Sequence, residues 1–503
     1  MTWIFLAAKL PLTTLLVLGG IGALVVIAWS YANWRLAVKV AFVAVLVEGA
    51  IRKWLLPSAE ELVYFLKDVF LVGAYLKFYF SPDTELRAYR LRVPGGMFFL
   101  FCCIVAFSAM NPNIGSALLA AYGVKIYFMY VPLSFMMPYL FRNQQEMLRQ
   151  MTWYALLAIP ICLLGFLQYS SDRFSVINTF AAGMGESGAT GFGVGDRVRV
   201  TGTFSYLTGH TTFVIIFFAL AVALLSLRET RWKPVFLFAM LPMLAGNALM
   251  GGSRASVVTM AFVTVGFAMA TLSGSLVPRR GFVMTLVLGA VLAVGGSIYF
   301  FADALVHWEA RSQTASDSLT SRTIDHPLAA VKVSYETGGA FGFGIGTAHP
   351  ATYAIRNKLG ILPMKQRPPL VDNELGQVLG ELGVAGFLAW YGLRLLMLWL
   401  NWKSYLASPP GIIRTLSLVV ILITGPFLLM SVVYNHTASF FIFAISGFGL
   451  IPLVETTVQR RFAPRGRSPR GSNPQNSPGL SDKSVTSNRL GMRLGQHGPD
   501  STS

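Results

Sequence analysis

Three stretches of the chain place polar residues where apolar helices begin. In RVRVTGTFSYLTGHTTF (197–213), Arg197 and Arg199 precede a Gly-Thr turn and His210 opens an apolar run. In MGGSRASVV (250–258), Ser253 stands as an N-cap candidate and Arg254 falls in the first turn of the helix that follows. A cation there is electrostatically unfavourable, because the N-terminal end of a helix already carries partial positive charge. An anion should compensate, and a diphosphate suits the position: the guanidinium fork and the free helix N–H groups can both donate to phosphate oxygens. The plainer alternatives are an interfacial pair for Arg197 and Arg199, and an Arg254 that snorkels to the lipid headgroups.

The third stretch, VDNELGQVLGELGVAGFLAW (371–390), opens on Asp372, Asn373 and Glu374 and carries Glu381 further in. Helical spacing puts Asn373, Gln377 and Glu381 on one stripe. At 1.5 Å per residue Glu381 lies about 12 Å beyond Asn373, which makes it an intramembrane carboxylate, either functional or bonded to a neighbouring helix. Asp372 has an ordinary explanation as an N-cap. Gly376, Gly380 and Gly383 permit close approach of another helix.

The elements that must hold these residues are set by composition. The chain has 503 residues, 54% of them hydrophobic and 12% charged, with a mean hydropathy of +0.59. Those values exclude a soluble globular domain and predict an all-α polytopic membrane protein. Apolar runs near the roughly 20 residues needed to span a bilayer recur at 10–29, 34–50, 60–80, 94–110, 117–140, 151–169, 209–227, 234–250, 255–273, 282–302, 376–400, 412–433 and 438–455. This is twelve to thirteen helices, the first two joined by so short a link that a hairpin or re-entrant pair is expected. The runs are continuous, unlike the alternating strands of a β-barrel. The first lacks the flanks of a cleaved signal peptide and is expected to be retained. Cys102, Cys103 and Cys162 all lie in apolar runs and suggest neither disulfides nor a metal site.

The net charge of +18 reports topology and not nucleic-acid binding. Arg87, Arg90 and Arg92, Arg142 and Arg149, Arg228, Arg231 and Lys233, Arg279 and Arg280, and Lys403 and Arg414 fall in alternate connections, as does the Arg-rich start of the tail. The positive-inside rule makes their side cytoplasmic and places the C-terminus there. The expected organisation is N-terminal membrane helices in 1–170, a first periplasmic loop in 171–208, central helices in 209–302, a large periplasmic loop in 303–375, C-terminal helices in 376–458 and a disordered basic tail in 459–503. The large loop, with its Gly-rich GGAFGFGIGTAHP (338–350), is expected to form a small packed cap. Within it Arg311, Arg322 and Arg356 could bind phosphate or acceptor anions, at least two of them being expected to be solvated.

GSRAS (252–256), GFGIGTAHP (342–350) and DNELGQVLGELGVAG (372–386), in that order, resemble the O-antigen ligase / O-antigen polymerase superfamily over residues 195 to 400. The resemblance implies a bacterial inner-membrane glycosyltransferase that needs no metal or other cofactor. It would take a glycan from an undecaprenyl-diphosphate carrier and transfer it to a sugar hydroxyl, on a growing glycan or on a lipid A-core acceptor. Arg254, Arg197, Arg199 and Arg322 would neutralise the leaving diphosphate, with Gln377 and Glu381 supporting the stripe. Where the family has histidine this chain has Asp372, followed by the expected Asn373. An Asp of ordinary pKa, about 3.9, is a weaker base than a His near 6.5, so His349, His326, His210 and His436 stand as substitutes for Asp372. A transporter or flippase of lipid-linked oligosaccharide is the competing class, with Glu48, Lys67 and Asp68 as its intramembrane charges.

Overall fold

The computed structural model describes residues 12–57, 60–81, 95–179, 197–276, 281–300, 302–314, 324–358, 360–369, 371 and 373–454. The chain is an all-α polytopic membrane protein, 77% helical, with no strand among the described residues. Continuous apolar runs become helices because a bilayer offers no water to backbone N–H and C=O groups, which must then bond within the segment. Among the described residues, six helices are long and apolar enough to cross a membrane and five apolar ones are shorter. Leu24 and Val25 near the N-terminus, and Met284 and Val291 later, are more than half exposed, an outer surface suited to hydrocarbon.

The longer helices are numbered α1 (Leu12–Ala32), α2 (Trp34–Ala50), α3 (Leu66–Phe80), α4 (Gly95–Ala109), α5 (Ala117–Phe128), α6 (Gln144–Leu156), α7 (Ala158–Ser170), α8 (Leu207–Ser226) and α9 (Leu241–Met250). They continue with α10 (Arg254–Leu272), α11 (Phe282–Phe300), α12 (Ala302–Thr314), α13 (His326–Gly338), α14 (Pro350–Lys358), α15 (Glu374–Ala407), α16 (Ile412–Phe427) and α17 (His436–Phe448). Helices α1 and α2 turn on Asn33 into a splayed hairpin that embraces α3: Gly73 lies against the Ile27 carbonyl and Trp34 meets Phe78, while Gly19 lies against Leu62 in the short helix just before α3.

The segment expected to be a periplasmic cap is helical in α12, α13 and α14. Helix α13 packs on the start of α15, where a Cβ at Gly376 would come within 2.8 Å of the Ala330 Cβ. Helix α15 is interrupted at Gly383, whose φ of 67° and ψ of −172° are open to glycine. Breaking the helix frees carbonyls, and the Gly-rich segment supplies their donors: Phe343 N–H bonds Gly380 O at 2.7 Å and Gly344 N–H bonds Glu381 O at 3.0 Å. Val384 N–H returns to Ala340 O at 3.0 Å. Irregular backbone is thus accommodated inside the bundle because its polar groups are paired. Asn111 and Asn113, in the turn between α4 and α5, clamp the same segment by donating to Gly342 O at 3.2 Å and Phe343 O at 3.1 Å. All three cysteines are free thiols.

Candidate functional site

The starts of α8, α10, α15 and α17 gather at one end of the bundle. Asn435, the N-cap of α17, donates to Thr208 O and to Thr212 Oγ1, each at 3.1 Å. Glu374, in the first turn of α15, accepts N–H bonds from Val432 and Val433 just before α17, the second at 2.6 Å. The strand-like segment 197–204 crosses this end, bonded to Met250 O by Val200 N–H at 3.2 Å. Gln168 holds that segment in place: its Oε1 accepts from Gly202 N–H at 2.7 Å and its Nε2 donates to Gly202 O at 3.1 Å. Four helix N-termini at one end make it electropositive before any side chain is counted.

Arg254 is half-buried at the start of α10, and its guanidinium has no hydrogen-bond or ion-pair partner among the described residues. Arg199 reaches the same turn, its Nε donating to Gly251 O at 3.0 Å. Arg197 is drawn aside: its Nε pairs with Asp303 Oδ2 at 2.9 Å, with both side chains about half exposed, and its guanidinium lies over the Tyr169 ring at 5.3 Å. The structure therefore brings Arg199 and Arg254 together and commits one face of Arg197 to α12. Arg322 and Asp372 lie outside the described residues. Arg356 departs from the expectation of a solvated or phosphate-binding residue. It is buried and donates Nη1 to Ile114 O at 2.7 Å and Nη2 to Leu362 O at 2.7 Å, so it is a structural tie.

The polar stripe of α15 is real as geometry, but each member has a local partner. The helix cap falls on Asn373 instead of Asp372, with Asn373 Oδ1 accepting from Leu375 N–H at 2.9 Å. Gln377 Nε2 donates to Val371 O at 2.8 Å. These two bonds fix the backbone on either side of position 372. Glu381 is fully buried and accepts from Tyr127 Oη at 2.8 Å and from Ala348 N–H at 2.7 Å. It anchors the Gly-rich segment to α5 and α15, which favours the hydrogen-bonding reading of this carboxylate.

His349 is 8% exposed and His436 9%, their rings 5.8 Å apart. His349 also meets Tyr434 at 5.1 Å and Tyr122 at 5.5 Å, and His436 meets Tyr64 at 5.1 Å. Burial, aided by the nearby Lys125 charge, lowers the His349 pKa to about 3. The imidazole is therefore neutral at pH 7, and its Nδ1 accepts from Ala351 N–H at 3.1 Å, which leaves the proton on Nε2. In this geometry the His349 Nδ1 lone pair is engaged by the Ala351 N–H and the ring packs as a buried side chain between Tyr122, Tyr434 and His436. His210 is buried against Phe204 and Phe213, and His326 is exposed at the start of α13.

Beneath these rings lies a cluster of charges that sequence spacing did not assemble. Lys67 pairs with Glu48 at 2.6 Å and Lys125 with Asp68 at 2.9 Å, all four buried or nearly so; Tyr130 Oη donates to Asp68 Oδ1 at 2.7 Å. The Tyr64 ring carries Lys125 at 4.2 Å and both Lys67 and Arg52 at 5.2 Å. Arg52 and Lys53 sit on a π-turn, Ile51–Leu55, that widens the end of α2. Arg52 donates to Ser205 Oγ at 3.0 Å, and Lys53 to Thr201 Oγ1 at 3.2 Å and Gly202 O at 2.8 Å, so the cluster is continuous with segment 197–204. Three cations, Arg52, Lys67 and Lys125, gather on the Tyr64 ring with two carboxylates, Glu48 and Asp68. The signal that could have found Lys125 was available: a lysine inside an otherwise apolar run is functional or paired by default. No family model matches the chain, and no curated protein matches it.

Proposed function

We propose that the protein is a glycosyltransferase of the O-antigen ligase or polymerase type, working at the periplasmic face of a bacterial inner membrane. The observation that carries the reading is Arg254: a half-buried guanidinium without a partner among the described residues, at a helix N-terminus, beside Arg199. That arrangement is suited to an anion with several oxygens and is costly without one. The excess of cations around Tyr64 supports the same ligand charge.

In this reading the diphosphate of the undecaprenyl-linked donor lies against Arg254 and Arg199. The acceptor hydroxyl oxygen attacks the anomeric carbon, the bond from that carbon to the diphosphate oxygen breaks, and undecaprenyl diphosphate leaves with the electron pair. The hydroxyl proton passes to Asp372, whose flanking backbone is held by Asn373 and Gln377. Lys67 and Lys125 are already paired with carboxylates, which supports a fixed scaffold over a translocation path. Arg254→Ala should abolish glycan product in cells while membrane expression stays normal; near-normal product from that variant contradicts the reading. Disrupting the gene separates the subclasses. Loss of a polymerase leaves single repeat units on the acceptor, loss of a ligase leaves the acceptor bare, and loss of an exopolysaccharide polymerase removes a secreted polymer alone.

A further inference from the structure

Away from the gathered helix starts, toward the other end of the bundle, α2, α6, α8, α16 and α17 enclose a cavity of about 280 Å³. Phe42, Ile216, Val420 and Phe441 form its walls. Val43 and Trp153 line it too and are 42% and 59% exposed, so it opens on the outer flank of the bundle, where membrane helices meet lipid. Water would find few polar partners in such a space, and an empty one forfeits dispersion contacts along its whole lining.

The mouth has a definite charge. Lys39 lines the cavity and pairs with Glu146 at 2.6 Å. The other Glu146 oxygen accepts the Arg142 backbone N–H at 2.9 Å. Arg35, whose Nε donates to Tyr139 O at 3.1 Å, lies within electrostatic reach of Arg142 and Glu146. Three cations therefore face one carboxylate, at the level where α6 begins with Asn143 as its cap. A helix end next to an apolar, laterally open cavity is where the headgroup of a bilayer lipid sits when its chain is inside.

We infer that the cavity holds one acyl chain of a glycerophospholipid with an anionic headgroup, whose phosphate meets Lys39, Arg35 and Arg142. The occupant is a bilayer lipid that stays with the protein. The inference stands apart from the proposed transfer chemistry, since cavity and mouth share no residue with the Arg254 end.

The test is native mass spectrometry of the full-length protein in detergent, exposed to equal amounts of phosphatidylglycerol and phosphatidylcholine with identical chains. The wild type should retain phosphatidylglycerol by a factor of about ten or more, as expected for two net positive charges at a headgroup. Arg35→Gln combined with Arg142→Gln should bring the ratio toward one. Arg142→Gln alone, at an exposed position, should lower it part of the way, which keeps the test open if the double variant folds poorly. Val43→Trp, at an exposed lining position, should reduce retention of both lipids without changing their ratio. Equal retention of the two lipids by the wild type overturns the proposal, as does a ratio unmoved by the rim variants or retention unmoved by Val43→Trp.

Discussion

Replacing Arg394 with methionine should cost about 3–5 kcal/mol of folding stability, the range for removing one partner of a buried ion pair. Arg394 donates Nη1 to Glu374 Oε1 at 2.6 Å and Nη2 to the Phe427 carbonyl. The other Glu374 oxygen accepts from the consecutive N–H groups of Val432 and Val433. The two side chains are 5% and 2% exposed, so water cannot replace the lost guanidinium. One carboxylate thus holds the start of α15, the middle of α15 and the connection between α16 and α17, and the loss is of an uncompensated charge as well as of a contact. A neutral amide at position 374 can still accept from Val432 and Val433. Arg394→Met combined with Glu374→Gln should therefore be more stable than Arg394→Met alone by about 2 kcal/mol, within the usual range for coupled neighbours. Equilibrium unfolding of the purified protein in mixed micelles, followed by tryptophan fluorescence, reads both quantities. A single variant within about 1 kcal/mol of wild type, or a double variant worse than the single, would refute the reasoning.

Three further outcomes follow from the site. Because His349 takes up a proton near 6.5 when unfolded but only near 3 when folded, the unfolded chain holds more protons between those values. Stability should then fall as pH drops through that window, by about 2 kcal/mol at pH 5; His349→Gln should flatten the profile, and superimposable pH curves would remove the explanation. Gly342→Ala, at a φ of 70°, would place its Cβ 2.6 Å from Gly380 O and 2.7 Å from Glu381 O. It should unseat the segment that fills the break in α15, costing about 1–3 kcal/mol and speeding proteolysis between 338 and 350; unchanged cutting would argue against the plug. Glu381→Gln keeps an acceptor for Ala348 N–H and should retain most glycan product, whereas loss of product from a stable variant would make the carboxylate a reacting group.

The helices were legible because apolar runs are set by sequence alone: the runs at 209–227, 255–273 and 376–400 correspond to α8, α10 and α15. The break at Gly383 was not, since a glycine in an apolar helix signals close packing as readily as an interruption of its hydrogen bonding, and the groups that repair it, the Phe343 and Gly344 N–H donors and the Ala340 carbonyl acceptor, lie about 40 residues earlier. The Arg254 turn was visible as a charge in an electrostatically wrong place. The ties of Arg356 and Glu374 were invisible, because burial of a charge depends on partners more than 30 residues away in sequence, such as Ile114 and Val433. The cap at Asn373 shows the limit of residue preference: Asp372 and Asn373 are both good caps, and backbone geometry decides between neighbours.

The central claim is tested most directly by transfer in a defined system. The purified full-length protein is given a lipid-diphosphate-linked glycan already accessible at the face where α10 and α15 begin, together with a sugar acceptor. Extended or ligated glycan and release of undecaprenyl diphosphate are expected, both lost in Arg254→Ala. Movement of the donor between leaflets without any new glycosidic bond would contradict the claim.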